Sequence, residues 1–166
     1  MAMFDTQYLS AEQVRGFDSY KYSSIDTSPV SVYISHPFWN WLVQFLPTWL
    51  APNVLTVSGF GMAMTGYFVL CWLDWFLLAS SDQAPEYPPV PNNVWLLLAI
   101  LAFLAHTLDG IDGKQARRTN SSGPTGELFD HGIDSWLTIP FTLCLFSVFG
   151  RMDYRYGIFV NASQPK

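Results

Sequence analysis

The sequence predicts an all-α polytopic membrane protein, with one amphipathic helix at the membrane interface and three transmembrane helices. Of its 166 residues, 50% are hydrophobic and only 13% are charged, whereas a soluble domain carries about 25% charged residues. The basic residues are unevenly placed, since none stands between Lys21 and Lys114. Long uncharged stretches, separated by a loop that holds the basic residues, are typical of membrane proteins.

The N-terminal part divides into a polar arm and an aromatic segment. Residues 1–35 are polar and lack the apolar region of a cleavable signal peptide. Residues 36–53, HPFWNWLVQFLPTWLAPN, are too short to span a bilayer before Pro47 interrupts them. Because Trp prefers the membrane–water interface, we expect a short helix lying in the interface plane. An amphipathic helix of a soluble core is the alternative, and the apolar stretches that follow disfavour it.

Three transmembrane spans are predicted, near 54–73, 94–108 and 128–149. The first has 20 residues without a charge, and about 20 are needed to cross a bilayer. Its three glycines favour close helix contacts; they are Gly59, Gly61 and Gly66. The second span offers only 15 apolar residues, so its polar end must reach into the membrane-facing region. We place the membrane domain at 36–151, followed by a loose polar tail at 152–166.

The loops predict the orientation of the chain in the membrane. The Pro-rich connector at 74–93 has no Lys or Arg, whereas the predicted loop at 109–127 holds Lys114, Arg117 and Arg118. By the positive-inside tendency, the second loop faces the cytoplasm. Three basic residues in the tail argue weakly against this orientation.

Four aspartates flank this loop at spacings that suggest a shared site. Asp109 and Asp112 are three residues apart, and Asp130 and Asp134 are four apart, so each pair lies on one helix face. If the two faces meet, the four carboxylates repel one another strongly unless cations neutralise them. Two divalent ions would balance four negative charges, and ligands that are all oxygen favour Mg²⁺, Mn²⁺ or Ca²⁺ over zinc.

Divalent cations beside basic side chains form a phosphate site, which indicates phosphoryl-type transfer. A carboxylate that is not fully used by metal could deprotonate an attacking hydroxyl. The alternative is a structural hairpin in which the aspartates pair with the basic residues. An EF-hand does not fit, because Asn120 stands where the loop needs Glu. A P-loop does not fit either, because Gln115 follows the Lys. The net charge of −5 argues against nucleic-acid binding, since no basic stripe exists to meet phosphates.

The stretch from 109 to 134 resembles the signature of the CDP-alcohol phosphotransferase family, DxxDGxxARx8GxxxDxxxD. Every fixed position is filled, by Asp109, Asp112, Gly113, Ala116, Arg117, Gly126, Asp130 and Asp134. Four further stretches are similar to the eukaryotic ethanolaminephosphotransferase branch of that family: GFDSYKYSSIDTSPVSVYISHPFWN, PTWLAPN, DGKQARRTNSS and GELFDHGIDSW. The likeness covers about 14–151 and implies part of the CDP-alcohol phosphotransferase fold.

The resemblance also implies roles for individual residues. The metal pair would be held by Asp109, Asp112 and Asp130, while Asp134 would be the general base and a further metal contact. The cytidine-diphosphate pocket would be lined by Gly113, Ala116, Arg117 and Gly126, and positions near it are matched by Asn53 and Thr56. Lys114 and Arg118 are either contacts of the diphosphate or charges that only orient the chain.

The expected reaction transfers phosphoethanolamine from CDP-ethanolamine to diacylglycerol, giving phosphatidylethanolamine and CMP, with two Mg²⁺ or Mn²⁺ ions. The expected location is the membrane of the endoplasmic reticulum or Golgi, with the site facing the cytoplasm. Assembly into a homodimer or a heterodimer is possible under this interpretation. Two alternatives remain. One is a transferase with dual specificity for choline and ethanolamine. The other is a truncated, non-catalytic isoform or fragment, because members of this family share their substrate cavity among six core helices.

Overall fold

The computed structural model describes residues 8–19, 27–81 and 84–149, and within these ranges the regular elements are all helical. The predicted tail at 152–166 lies outside the described residues, as does part of the N-terminal arm. The described part of the arm contains helix α1, Ala11–Asp18. A capping box starts this helix, because Ser10 and Gln13 each accept a hydrogen bond from the other's backbone N–H.

The aromatic segment forms one continuous helical stretch, which we call the interfacial helix. It consists of a π-helical turn, Ser31–Ser35, helix α2, His36–Leu42, and a 3-10 turn, Val43–Phe45. It therefore begins upstream of the predicted segment and ends just before Pro47. One side packs against the second long helix, while bulky apolar side chains such as Trp41 are exposed. A helix with one packed face and one exposed apolar face suits a membrane surface; its in-plane orientation stays a prediction.

Three long helices follow: α3, Pro52–Leu73; α4, Asn92–Arg118; and α5, Pro124–Phe149. Each is long and apolar enough to cross a membrane, which confirms the predicted fold class. Helix α3 packs against both α4 and α5. The apolar windows of the three helices are largely unburied within the chain, as expected of helices that face lipid.

The prediction of a loop at 109–127 is wrong at both ends. Helix α4 continues ten residues beyond the expected end of its span at 108, and α5 begins at 124 instead of 128. The connection is therefore only 119–123. Within it Asn120 has a φ of 54°, a left-handed conformation that suits the end of a helix. The polar end of α4 stays helical because tertiary partners, described below, bind its side chains.

Close contact between α3 and α4 depends on two of the three predicted glycines. A Cβ at Gly59 would lie 3.1 Å from the Ala105 carbonyl oxygen, and one at Gly66 would lie 3.3 Å from Leu98 Cδ2. These distances are shorter than ordinary van der Waals contacts, so glycine lets the helices approach. Gly61 does not contribute, because a Cβ there would have no neighbour within 4 Å among the described residues.

A buried carboxylate links the end of α3 to α5 at the end of these helices remote from the aspartate signature. Asp74 is the C-cap of α3 and is 3% exposed. Its Oδ1 accepts hydrogen bonds from the backbone N–H of Leu78 and of Ala79, at 2.8 and 3.2 Å. Its Oδ2 accepts from Ser147 Oγ at 2.5 Å. Ser147 is fully buried on α5, so this bond links α5 to the start of the 74–93 connector.

Replacing Ser147 with Ala is therefore expected to destabilise the fold. The change leaves one oxygen of a buried carboxylate without its donor, which costs about 1.5–3 kcal/mol. The free energy of unfolding of the purified chain in detergent measures the effect. Ser135→Ala is the matched control, because the Ser135 hydroxyl is exposed and, in the part of the chain that the structure describes, it donates to the backbone oxygen of His131. Equal stability of the two variants would contradict the assignment.

Candidate functional site

Three of the four signature aspartates converge between α4 and α5. Asp109, Asp112 and Asp130 each offer a carboxylate oxygen, and these three oxygens lie within 4.8 Å of one another. Asp112 is buried, while the other two are half-buried. The spacing of these residues predicts that the two acidic faces meet, and the structure brings the three carboxylates together at the end of α4 and the start of α5.

The chemistry of this cluster fits a hard divalent cation. Asp130 Oδ1 is buried and has no hydrogen-bond partner in the described part of the chain. A buried oxygen without a partner is costly, and carboxylates this close together repel one another. A cation would bind the free oxygen and neutralise the charge. Ligands that are all carboxylate oxygens are those that magnesium, manganese and calcium ions prefer.

Asp134 takes a different position from the other three. It lies one helical turn beyond Asp130 on α5, and its side chain is exposed. It is not one of the three described residues whose oxygens converge. It does line a cavity that Asp109 also lines. The arrangement therefore consists of three convergent carboxylates and a fourth that borders the adjoining space.

Thr56 fixes one of the convergent carboxylates. Its hydroxyl donates a hydrogen bond of 2.5 Å to Asp112 Oδ2, and both side chains are buried. The bond crosses from α3 to α4 and orients the Asp112 carboxylate. The family resemblance implies that Thr56 lies near a nucleotide pocket, and its contact with a signature aspartate has no signal in the sequence.

Residues expected around the nucleotide lie beside the acidic cluster. A Cβ at Gly126 would lie 3.9 Å from Asn53 Oδ1, and one at Gly113 would lie 3.8 Å from Arg117 Nη1. The start of α3 thus faces the start of α5, and the exposed Arg117 side chain folds back over its own helix. Ala116 is half-buried on the same helix. The small residues leave the backbone open to a ligand at this point.

Lys114 and Arg118 contact the interfacial helix. Lys114 Nζ donates a hydrogen bond of 2.9 Å to Asn40 Oδ1. Arg118 Nη1 donates to the carbonyl oxygens of Val43 and Leu46, at 2.8 and 2.6 Å. These carbonyls lie at the C-terminal end of the interfacial helix, where the Val43 oxygen also accepts a hydrogen bond of 3.2 Å from the Leu46 backbone N–H. The structure thus gives both basic side chains an anchoring contact, and their contact with a diphosphate stays a prediction.

Gln115 completes this attachment. Its side chain is fully buried, and its Nε2 donates to the carbonyl oxygens of Pro47 and Leu50, at 2.9 and 3.1 Å. It therefore fixes the turn between the interfacial helix and α3. A buried glutamine is unexpected at the charged end of a membrane helix, and nothing in the neighbouring sequence marks Gln115 as a contact of the turn.

A cavity of about 570 Å³ extends between α3, α4 and α5. Asp109 in the C-terminal half of α4 and Asp134 in the N-terminal half of α5 line one part of it, whereas Trp95 and Val148 line it near the opposite ends of these helices. Most of its other lining residues are apolar. A long apolar space with carboxylates at one end suits an amphiphilic molecule that carries a polar group at its tip.

Replacing Thr56 with Val is expected to weaken metal binding at the cluster. Valine keeps the shape but lacks the hydroxyl that orients Asp112, and loss of such a partner typically lowers metal affinity about 10–100-fold. Titration calorimetry of the purified chain with Mn²⁺ measures the change. Thr65→Val is the control on the same helix, because the bond of the Thr65 hydroxyl within the described residues goes to the Gly61 carbonyl oxygen of its own helix. Unchanged affinity in Thr56→Val would contradict the role.

The chain is similar to curated phosphotransferases over most of its length. Ethanolaminephosphotransferase 1 of Homo sapiens is 51% identical over 154 residues, which is 93% of this chain and 38% of the relative. The Mus musculus protein of the same name is 53% identical over 154 residues, which is again 93% of this chain and 38% of the relative. Choline/ethanolaminephosphotransferase 2 of Arabidopsis thaliana is 41% identical over 128 residues, covering 77% of this chain and 31% of the relative. The chain thus spans less than two fifths of the length of these relatives.

The chain also matches a sequence model of a whole protein family. The model described as CDP-alcohol phosphatidyltransferase matches residues 49–161. That range contains all three long helices and the whole aspartate signature. Because the match covers more than half of the chain, this protein belongs to the CDP-alcohol phosphatidyltransferase family.

Proposed function

We propose that the chain transfers phosphoethanolamine from CDP-ethanolamine to diacylglycerol, giving phosphatidylethanolamine and CMP. The observation that carries this proposal is the convergence of three signature carboxylates at one end of an apolar cavity. The three carboxylates could bind metal ions that hold a nucleoside diphosphate, and the apolar cavity could hold a lipid acceptor. The names of the relatives that are 51% and 53% identical support ethanolamine as the headgroup.

The proposed cofactors are two Mg²⁺ or Mn²⁺ ions. Asp109, Asp112 and Asp130 would hold them, and Asp134 would be a further, weaker metal contact, since it lies outside the group of three convergent carboxylates. Two divalent ions would balance the four carboxylates. When bound, such ions neutralise the negative charge of the diphosphate and of the departing phosphate.

The nucleotide would lie against the small residues beside the cluster. Gly113, Ala116 and Gly126 leave room for the cytidine diphosphate, and Asn53 faces the last of these positions. The Arg117 side chain is exposed, and its Nη1 would lie 3.8 Å from a Cβ at Gly113. Guanidinium groups bind phosphate oxygens through two parallel hydrogen bonds, so Arg117 would hold the diphosphate.

In the proposed reaction, Asp134 acts as the general base. The acceptor hydroxyl oxygen forms a bond to the phosphorus atom that bears ethanolamine. The bond between that phosphorus and the bridging oxygen of CMP breaks, and CMP leaves. The hydroxyl proton passes to the Asp134 carboxylate. This role is supported by the exposed position of Asp134 on the cavity wall, outside the group of three convergent carboxylates.

The proposed location is the membrane of the endoplasmic reticulum or Golgi, with the site on the cytoplasmic side. The basic residues at the end of α4 support this orientation, because such residues favour the cytoplasmic face. In this orientation the site meets the water-soluble nucleotide, while the cavity lies within the bilayer. Assembly into a homo- or heterodimer stays a prediction.

Dual specificity for choline and ethanolamine is the second candidate function. Its support is the identity of 41% to the Arabidopsis thaliana relative and of 34% to choline/ethanolaminephosphotransferase 1 of Saccharomyces cerevisiae. Competition by CDP-choline in the assay below separates the two functions. Strong competition together with formation of phosphatidylcholine would favour dual specificity.

Replacing Asp134 with Asn is expected to lower the rate of transfer at least about 100-fold, the usual contribution of a general base. The assay uses membranes from cells without endogenous activity, labelled CDP-ethanolamine, diacylglycerol and Mn²⁺, and it follows labelled phosphatidylethanolamine. Glu86→Gln is the control, because Glu86 is an exposed carboxylate of the connector. Full activity of Asp134→Asn would contradict the general-base role. An inserted wild-type chain that forms no product would favour the non-catalytic alternative.

Replacing Asp109 with Ala is expected to abolish or strongly weaken Mn²⁺ binding, because it removes one of three convergent carboxylates. Titration calorimetry of the purified chain measures this without reference to activity. Asp134→Asn provides the comparison, since its side chain lies outside the group of three and should alter Mn²⁺ affinity much less. A titration of Asp109→Ala that matches the wild type would contradict the metal assignment.

A further inference from the structure

A tryptophan of the interfacial helix lies directly on the turn of α4 that carries the aspartates. Gly110 stands between Asp109 and Asp112. A Cβ at Gly110 would lie 2.2 Å from Cε2 of Trp39 and 2.5 Å from its Cδ2 and Cζ2. The optimal separation of carbon atoms is about 3.5–4.0 Å. The Trp39 indole therefore occupies the space of the missing side chain, at a glycine that is not a fixed position of the signature.

The surroundings of Trp39 differ from those of its neighbours on the same helix. Its ring stands edge-on to His106, with 5.4 Å between ring centroids, and to His36, with 5.6 Å. His106 belongs to α4 and lines the same cavity as Asp109. Trp41, by contrast, is 55% exposed. Trp39 is thus the tryptophan of α2 that faces the signature, whereas Trp41 faces outward.

The contact is one of a series along the end of α4. Trp39 meets α4 at residues 106 and 110, Asn40 meets it at Lys114, and Val43 meets it at Arg118. The interfacial helix therefore follows α4 over the turns that carry Asp109 and Asp112. Of these contacts, the one made by Trp39 involves the backbone between the two aspartates.

We propose that Trp39 is a positioning residue: its indole packs into the space left by the missing side chain of Gly110 and thereby holds the Asp109–Asp112 turn of α4 in place. The inference rests on the proposed function, since it takes Asp109 and Asp112 as ligands of a cation. Metal sites require ligand positions correct to about 0.2 Å. A Cβ at position 110 would have to displace the indole or the turn by more than about 1 Å to reach ordinary contact distance, which is enough to spoil the site.

The test measures Mn²⁺ affinity of the purified full chain by titration calorimetry, together with thermal unfolding. Gly110→Ala is expected to weaken Mn²⁺ binding at least about tenfold, in the range seen when residues that support metal ligands are changed. The double variant Gly110→Ala/Trp39→Ala is expected to bind more tightly than Gly110→Ala, because removing the indole removes the overlap. Trp39→Phe, with a smaller ring, is expected to weaken binding several-fold while the chain remains folded.

Two control variants separate positioning from general effects. Gly61→Ala makes the same change in a helix at a site where the new Cβ has open space among the described residues, and alanine favours helices more than glycine does. Ser147→Ala lowers stability at the far end of the helices. Gly61→Ala and Ser147→Ala are both expected to bind Mn²⁺ as tightly as the wild type does. A loss of Mn²⁺ affinity that is seen only in Gly110→Ala would therefore reflect a displaced Asp109–Asp112 turn.

The outcomes distinguish the inference from the function on which it rests. The inference is contradicted if Gly110→Ala binds Mn²⁺ as tightly as Gly61→Ala, or if the double variant binds no better than Gly110→Ala. It is also contradicted if Ser147→Ala loses as much affinity, or if folded Trp39→Phe loses none. If the wild-type chain binds no Mn²⁺, the proposed function fails and the inference fails with it. A wild type that binds Mn²⁺ beside an unaffected Gly110→Ala variant overturns the inference alone.

Discussion

Mutual repulsion of three carboxylates held between apolar helices is the constraint on which the described architecture depends. Asp109, Asp112 and Asp130 lie close enough for their charges to oppose one another in an environment that screens charge poorly. Such a cluster keeps its shape only if the surrounding structure prevents the side chains from turning away. Thr56 does this for Asp112 from α3, and the helices bring the other two carboxylates together through their packing on α3.

The end of α4 resolves a second problem, which is how a polar segment remains helical beyond the apolar part of a span. One face of this segment carries the aspartates. Another face carries Lys114, Gln115 and Arg118, whose hydrogen bonds end on the interfacial helix and the turn that follows it. The same ten residues thus form the site and attach the aromatic helix beside it. Because Lys114 and Arg118 already hold the interfacial helix, the basic residues of this segment need not all contact a ligand.

Periodicity and hydropathy were sufficient for the features that depend on neighbours along the chain. The uncharged run before Leu73 predicts α3, and the spacing of Asp109 and Asp112 predicts that they share a face. Features that depend on distant partners could not be predicted. Asp74 and Ser147 are 73 residues apart, and nothing local marks either one as a partner of the other. Gly61 resembles its neighbouring glycines in sequence, and it differs from them because no described residue lies within 4 Å of the position of its missing Cβ.

The cavity between the long helices has a consequence for how the reaction would respond to its substrates. Its apolar walls lie within the membrane spans, while the carboxylates stand where the polar end of α4 begins. Under the proposed function, the nucleotide arrives by diffusion in three dimensions and the acceptor by diffusion in two. The rate would then follow the mole fraction of acceptor in the bilayer and would be insensitive to its bulk concentration. Dilution with inert lipid would slow the reaction even when the total amount of acceptor is unchanged.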